Sequence, residues 1–439
     1  MRVGLLTGAR WSRLLIAGVF ALAVGASPQL RAAEKQASQQ LSSDVSKLLH
    51  DAQDIQKKGA GADWDKMAEL SREAYSKSKT PYEQETSLKF LLSAGINKKD
   101  TAIEKEAIEK LVELPGTSDD DKRKFYPFLA QPYLQAKDYA GATPYVEKWA
   151  AAGGGAEAER VLAQLYLAQK QCDKVTEIIN KTQSGAPFTE EQLRMKYQCA
   201  AQTENKAEQR KIVAEYISRY PNRDFTMTAV AFSAQQPSDD RALLNALRYA
   251  YDKDYLESAN QYNSYADLAK DAGAVEEAEA VLKRGVSRGL VAGDPKVNKQ
   301  LAEIQRLSAE DQKSLAALDK EARAGTNGQA DFAVGVAYFG LGQYAKAAEA
   351  IQRGLQPERA GKIKRVDDAW MVLGISLLKQ GKADEAKKAF DNVHGNDMMN
   401  AIAKAWTAPA QTAAPSAAST PPAGGATSTP PPSGGASKP

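Results

Sequence analysis

Residues 367–393 read DDAWMVLGISLLKQGKADEAKKAFDNV, and the order of side-chain sizes within them decides the fold. Trp370 is followed by the pair Leu373-Gly374, then Leu377, Gly381, the small Ala386, and the large Phe390 and Val393. Apolar residues three, four and seven apart share one helical face, and the break at Gly381 divides the stretch into two helices. Gly374 and Ala386 let the two backbones approach closely. Trp370, Leu377 and Phe390 fill the space around that contact, and Gly381 tolerates the reversal between the helices.

The same order recurs upstream as Val334-Gly335, Tyr338, Gly342, Tyr344, Ala347, Ile351 and Gly354, and again as Tyr262, Tyr265-Ala266, Ala269, Gly273, Val275, Ala278, Leu282 and Gly285. Toward the N-terminus it reads Tyr126, Leu129-Ala130, Tyr133, Tyr139, Ala142, Val146 and Trp149, followed by Leu162-Ala163, Tyr166, Val175 and Ile179. A looser copy holds Tyr197, Ala201, Ala214, Ile217 and a terminal Pro221. Between the copies lie helix-forming segments separated by short Gly, Pro, Asn or Asp breaks, and such short breaks make consecutive helices antiparallel neighbours.

This pattern resembles the tetratricopeptide repeat (TPR). The resemblance implies an all-α fold, an α-solenoid of TPR-like antiparallel helix hairpins in which stability sums over hairpins and their interfaces. It also implies a scaffold that binds a protein or peptide through its concave face or helix edges. The segments Asp63 to Thr80, Pro81 to Ile96, Asp100 to Leu114, Arg241 to Tyr251 and Lys296 to Ala324 are helical by composition but depart from the repeat, and degenerate hairpins are expected there. Ser308 and Asp311 read as a capping box opening one of these helices.

The expected organisation is a signal peptide over 1–33, an N-terminal helical array over 34–220, an irregular joint over 221–260 and a C-terminal TPR array over 261–407. The joint is placed by Pro221 and Pro237, and the array is closed by a helix carrying Met399, Ile402 and Trp406. The tail, 408–439, contains only Ala, Pro, Ser, Thr, Gly, Gln and one Lys; it can build no core and is expected to be disordered.

Arg2, Arg10 and Arg13 precede an apolar run from Leu14 to Ala26, the layout of a Sec-type export signal, and no Cys follows it for lipid attachment. Periplasmic location is therefore expected. The net charge of +3 includes Arg2, Arg10, Arg13 and Arg31, so a chain starting at Ala33 carries −1. That balance gives no field to attract a nucleic-acid backbone. Cys172 and Cys199, the only cysteines, fall on consecutive helices and would meet an oxidising compartment, where a disulfide between them is expected.

Catalytic chemistry has little to stand on. The two histidines, His50 and His394, sit in no zinc-binding spacing and read as surface residues. No nucleophile elbow or P-loop occurs, and the carboxylates are scattered among lysines on helical faces. Gly340, Gly342 and Ala345 match a dinucleotide-binding spacing, but that motif must follow a strand, and here a helix precedes it. No catalytic, cofactor or metal site is expected. The residues left unused by packing on the first helices of the last two repeats, Phe332, Val336 and Phe339, then Met371, Ile375, Leu378 and Lys379, are expected to line an apolar groove with a basic rim, suited to an amphipathic helix or an extended peptide. Two other classes stay open: an accessory subunit of an energised envelope transport or secretion system, and a wall-modifying enzyme on a helical scaffold, which would need a converging acidic or Tyr pair.

Overall fold

The computed structural model describes residues 40–183, 185–235, 240–291, 293 and 295–409. The signal peptide, Pro237 and all of the tail beyond Pro409 lie outside the described residues. Among the described residues there are twenty-one α-helices and no strand. None of these helices is long and apolar enough to cross a membrane. The chain divides into two compact units, with the division between Gln209 and Arg210.

The first unit runs through α1 (Ser43–Lys57), α2 (Trp64–Lys77), α3 (Pro81–Lys98), α4 (Thr101–Glu113), α5 (Asp119–Gln135), α6 (Tyr139–Ala151), α7 (Gly155–Ala168), α8 (Cys172–Gln183) and α9 (Glu190–Gln202). Helix α10 (Lys206–Arg219) crosses the division. Successive helices pack on one another, and a core continuous from Ala52 to Cys199 runs through them. The buried Glu83 pins the start of the unit. One carboxylate oxygen accepts the Ser42 amide at 2.7 Å and the other those of Lys79 and Thr80 at 2.7 and 3.1 Å. The hydrogen bonds from Ser42, then Lys79 and Thr80, outweigh burial and hold this carboxyl down at about 2.

The second unit continues with α11 (Arg223–Ala234), α12 (Asp240–Asp252), α13 (Ala259–Asp271), α14 (Val275–Ser287), α15 (Pro295–Ala324), α16 (Gly328–Gly340), α17 (Tyr344–Gly354), the single turn α18 (Pro357–Ala360), α19 (Val366–Lys379), α20 (Ala383–Asp391) and α21 (Asp397–Ala405). Its hairpins are α11 with α12, α13 with α14, α16 with α17, and α19 with α20. The small residues sit where the helices touch. A Cβ on Gly374 would lie 2.6 Å from Phe390 Cε1, and one on Gly335 would overlap Ile351 Cγ1. Ala266, Ala347 and Ala386 are fully buried.

The hairpin turns explain why the repeat reads so differently in the two halves. Gly342 and Gly381 adopt φ of 70° and 77°, and the next residue donates back across the helix end, Gln343 N to Tyr338 O at 2.8 Å. In the first unit Lys137, Lys170 and Glu204 adopt φ of 58°, 61° and 55° at the same position, and Asp138 N donates to Tyr133 O at 2.8 Å. The geometry is kept while the glycine that advertises it is missing.

Three expectations need correction. The stretch 221–260 is no irregular joint: Asn222 caps α11 by accepting the Phe225 amide at 3.0 Å, Phe225 stacks on Tyr216 at 3.6 Å between ring centroids, and α12 follows. The stretch 296–324 lies within one thirty-residue helix, α15, and Ser308 sits inside it, fully buried, accepting from Gln312 Nε2 at 3.0 Å. With no Gly or Pro after Pro295, nothing in that stretch stops the helix. In the looser copy the register is off by one, since Ala200 is buried and Ala201 exposed.

Candidate functional site

Helix α12 shares with α19, where residues 371–377 are all buried, a long unbroken buried run that the other helices of the second unit lack. Residues 244–250 are all buried, a run of nearly two turns, so the helix is covered on all sides and not along one stripe. It packs most extensively on α11, the helix before it, and side chains from three further hairpins and from the end of the array also reach it. Tyr262 and Tyr265 of α13 pack edge-on to Tyr251, with centroids 6.3 and 5.5 Å away. Phe339, at the end of α16, lies 5.8 Å from the Arg248 guanidinium, and Trp406 meets Tyr249 edge-on at 5.1 Å.

Polar contacts fix the register of this helix. Asn245, Arg248 and Asp252 are three and four residues apart and share a face. Arg248 donates through Nε and Nη2 to the two oxygens of Glu277 on α14, at 2.7 Å each, and through Nη1 to Asn245 Oδ1 at 3.0 Å. Tyr265 adds its hydroxyl to the same Glu277 at 2.6 Å, and Asn245 Nδ2 donates to Asp368 of α19 at 3.3 Å. Asp252 pairs with Lys379 at the other end of α19.

Arg248 is 4% and Glu277 5% exposed, so each charge has the other, with Asn245 and Tyr265, in place of water. Burial pulls the arginine's pKa down, but the Glu277 carboxylate beside it outweighs this and raises it. Burial, joined by Glu277, pushes the Tyr265 phenol far up. Burial also raises the Asp368 carboxyl, against the opposing pull of Arg248 and Arg241. Removing Arg248 would leave Glu277 buried and uncompensated.

The groove residues expected from the sequence are therefore not an open surface. Phe332, Val336, Met371 and Ile375 are buried, Phe339 and Leu378 are half-buried, and Lys379 is exposed. Phe339 lies beside Arg248 and Lys379 pairs with Asp252, so part of the expected groove and its basic rim faces the chain's own α12. Gly340, whose spacing imitates a nucleotide motif, lies against the start of α14, where a Cβ would fall 2.7 Å from the Glu276 carbonyl carbon. Sequence reasoning missed Asn245, Tyr249, Arg248, Glu277 and Asp368 as parts of one site. The signal available was the i, i+3, i+7 placing of polar residues on an otherwise apolar helix.

No protein-family model matches the chain, and no curated protein matches it. Among solved structures it is similar to the crystal structure of the APC/C hetero-tetramer Cut9-Hcn1, at 14% identity over 76% of this chain and 68% of that one, with a TM-score of 0.22. That overlap is too slight to add to the geometry. The TPR-like character rests on the hairpins themselves.

Elsewhere, Cys172 and Cys199 join α8 to α9 as a disulfide with 5.5 Å between their Cα atoms. His50 and His394 are exposed. Among the described residues no three or more His, Cys, Asp or Glu side chains gather in a metal-holding group. A second buried ion cluster ties α15 to the hairpin that follows it: Asp331, fully buried, accepts from Arg353 Nε at 2.6 Å and Arg359 Nη1 at 2.8 Å, while Arg353 Nη2 reaches Asp319 at 3.0 Å.

Proposed function

We propose that this chain is a non-catalytic scaffold of the cell envelope, exported to the periplasm, which holds partner proteins by gripping helical segments with its C-terminal repeats. The observation that carries the reading is the enclosure of α12: three hairpins and Trp406 wrap a single helix and specify its register with a buried bidentate ion pair. A helix-in-groove receptor has this build, apolar walls giving area and a few placed polar groups giving orientation. The Cys172–Cys199 bridge suits an oxidising compartment, and the basic and apolar leader suits export. Arg–Glu and Asn–Asp pairs that are already satisfied by one another are poor candidates for acid–base work, which favours binding over catalysis.

The test is fractionation of cells carrying the full chain, followed by crosslinking and affinity capture from envelope extracts. The reading expects a periplasmic protein starting near Ser27 or Ala33 and a reproducible set of crosslinked proteins. A chain that keeps its leader in the cytoplasm, or that captures nothing beyond an unrelated control, would overturn it.

A further inference from the structure

We propose that α12 is a resident ligand, and that the C-terminal groove exchanges it for a helix of a partner protein carrying the same polar face, Asn-x-x-Arg-x-x-x-Asp, between apolar residues at the positions of Leu244 and Leu247. The inference rests on the scaffold reading and names the partner chemistry and the regulation of that site.

Two observations carry it. The groove is charged for a guest and not for itself: Glu277, Tyr265 and Asp368 all turn toward α12, and Glu277 has its buried counter-charge only from Arg248. A purely structural core helix gains little from such a pair, because apolar residues of the same volume would hold as well, whereas register-specific recognition needs it. The resident helix is also an incomplete fit. The indole Nε1 of Trp406, on the ring that meets Tyr249, is buried without a hydrogen-bond partner, and a buried donor left unmade lowers the affinity for the occupant that leaves it so.

Exchange is then a competition between a tethered helix and a free one. The tether gives α12 a high effective concentration, so a partner must bind the open groove tightly or bring added contacts outside it. The wild-type chain is expected to be mostly closed.

The experiment uses the full chain and a fluorescent synthetic peptide with the sequence of residues 240–252. In the variant Leu244→Ala/Arg248→Ala the resident helix is loosened while the groove walls are unchanged. The peptide should bind this variant at least tenfold more tightly than it binds wild type, by anisotropy, and the peptide analogue with Arg248→Ala should lose at least tenfold on the same variant. Equal affinity for wild type and variant, or indifference to the arginine, would overturn the proposal. Because the variant could fail to fold, hydrogen exchange on wild type supplies an independent arm. The amides of 242–250 should exchange before those of α16 and α19, and exchange only together with them would overturn the release step while leaving the capture result of the scaffold reading standing. A concentration-dependent dimer of the loosened variant would assign the groove to a second copy of this chain and overturn the foreign partner.

Discussion

Replacing Glu277 by Gln is the sharpest test of the site, because it keeps size and shape and removes only the charge. Arg248 would then be buried with a neutral amide in place of two charge-assisted bonds of 2.7 Å, and Tyr265 would keep only a weaker acceptor. Breaking one partner of a sealed ion pair costs about 3–5 kcal/mol, a large part of the roughly 5–15 kcal/mol that stabilises a domain. With a urea m-value of about 2–3 kcal/mol/M, the unfolding midpoint of the second unit should fall by roughly 1–2 M. The assay is tryptophan fluorescence in a Trp11→Phe/Trp64→Phe/Trp149→Phe background, where Trp370 and Trp406 report on the second unit alone. The triple change Arg248→Met/Glu277→Leu/Tyr265→Phe, which removes the charges and the hydroxyl together, should return to within about 2 kcal/mol of wild type. A loss under about 1 kcal/mol for Glu277→Gln would be the value of a solvated surface pair and would refute the claim that α12 is sealed.

Further outcomes follow from the same geometry. Glu276 is buried with Oε1 unpartnered, and burial, with Asp311 and Glu279 nearby, raises its carboxyl; a raised folded-state pKa means its charged form costs stability once pH exceeds that pKa. Glu276→Gln should therefore raise the melting temperature at pH 7, with the gap to wild type closing toward pH 4, as seen by calorimetry; a gap that widens on acidification would contradict it. Glu83→Gln should destabilise the first unit by about 2–3 kcal/mol at pH 7, because three amide bonds lose their charged acceptor. Since the Glu83 carboxyl is held at about 2, that stability is full above the ordinary glutamate range and is lost as pH falls from there toward 2, which an acid-unfolding titration would follow. Lys137→Gly should stabilise by up to about 1 kcal/mol, because φ of 58° costs lysine what it does not cost glycine, and an unchanged denaturation midpoint would show the turn to be relaxed.

The hairpins of the second unit were legible because their requirements are local. A glycine pressed on Ile351 or Phe390 and a reversal at Gly342 or Gly381 leave their mark within about thirty residues, and periodicity finds it. In the first unit the same turns rest on Lys137 and Lys170, so the mark fades although the backbone does not change. Ser308 misled for the opposite reason: its neighbourhood fits a cap, yet packing carried α15 through it. Of the site, six apolar residues and Lys379 were read as left free by packing, whereas Phe332, Val336, Met371 and Ile375 are buried in it. Asn245 and Asp252 meet partners 123 and 127 residues away, a separation at which nothing in the spacing of the chain announces the contact.

Those long separations bear on how such a chain can change over generations. An open solenoid touches only its neighbours, so duplicating or deleting a unit merely lengthens or shortens it. Here Tyr249 must reach Trp406 and Asp252 must reach Lys379, so the ring closes with the hairpins it has and no others. An extra hairpin inserted between Ala259 and Asp391 would carry Trp406 out of reach, and a ribosome must finish all of α21 before the enclosure can form. The second unit is held to a fixed size by these closing contacts.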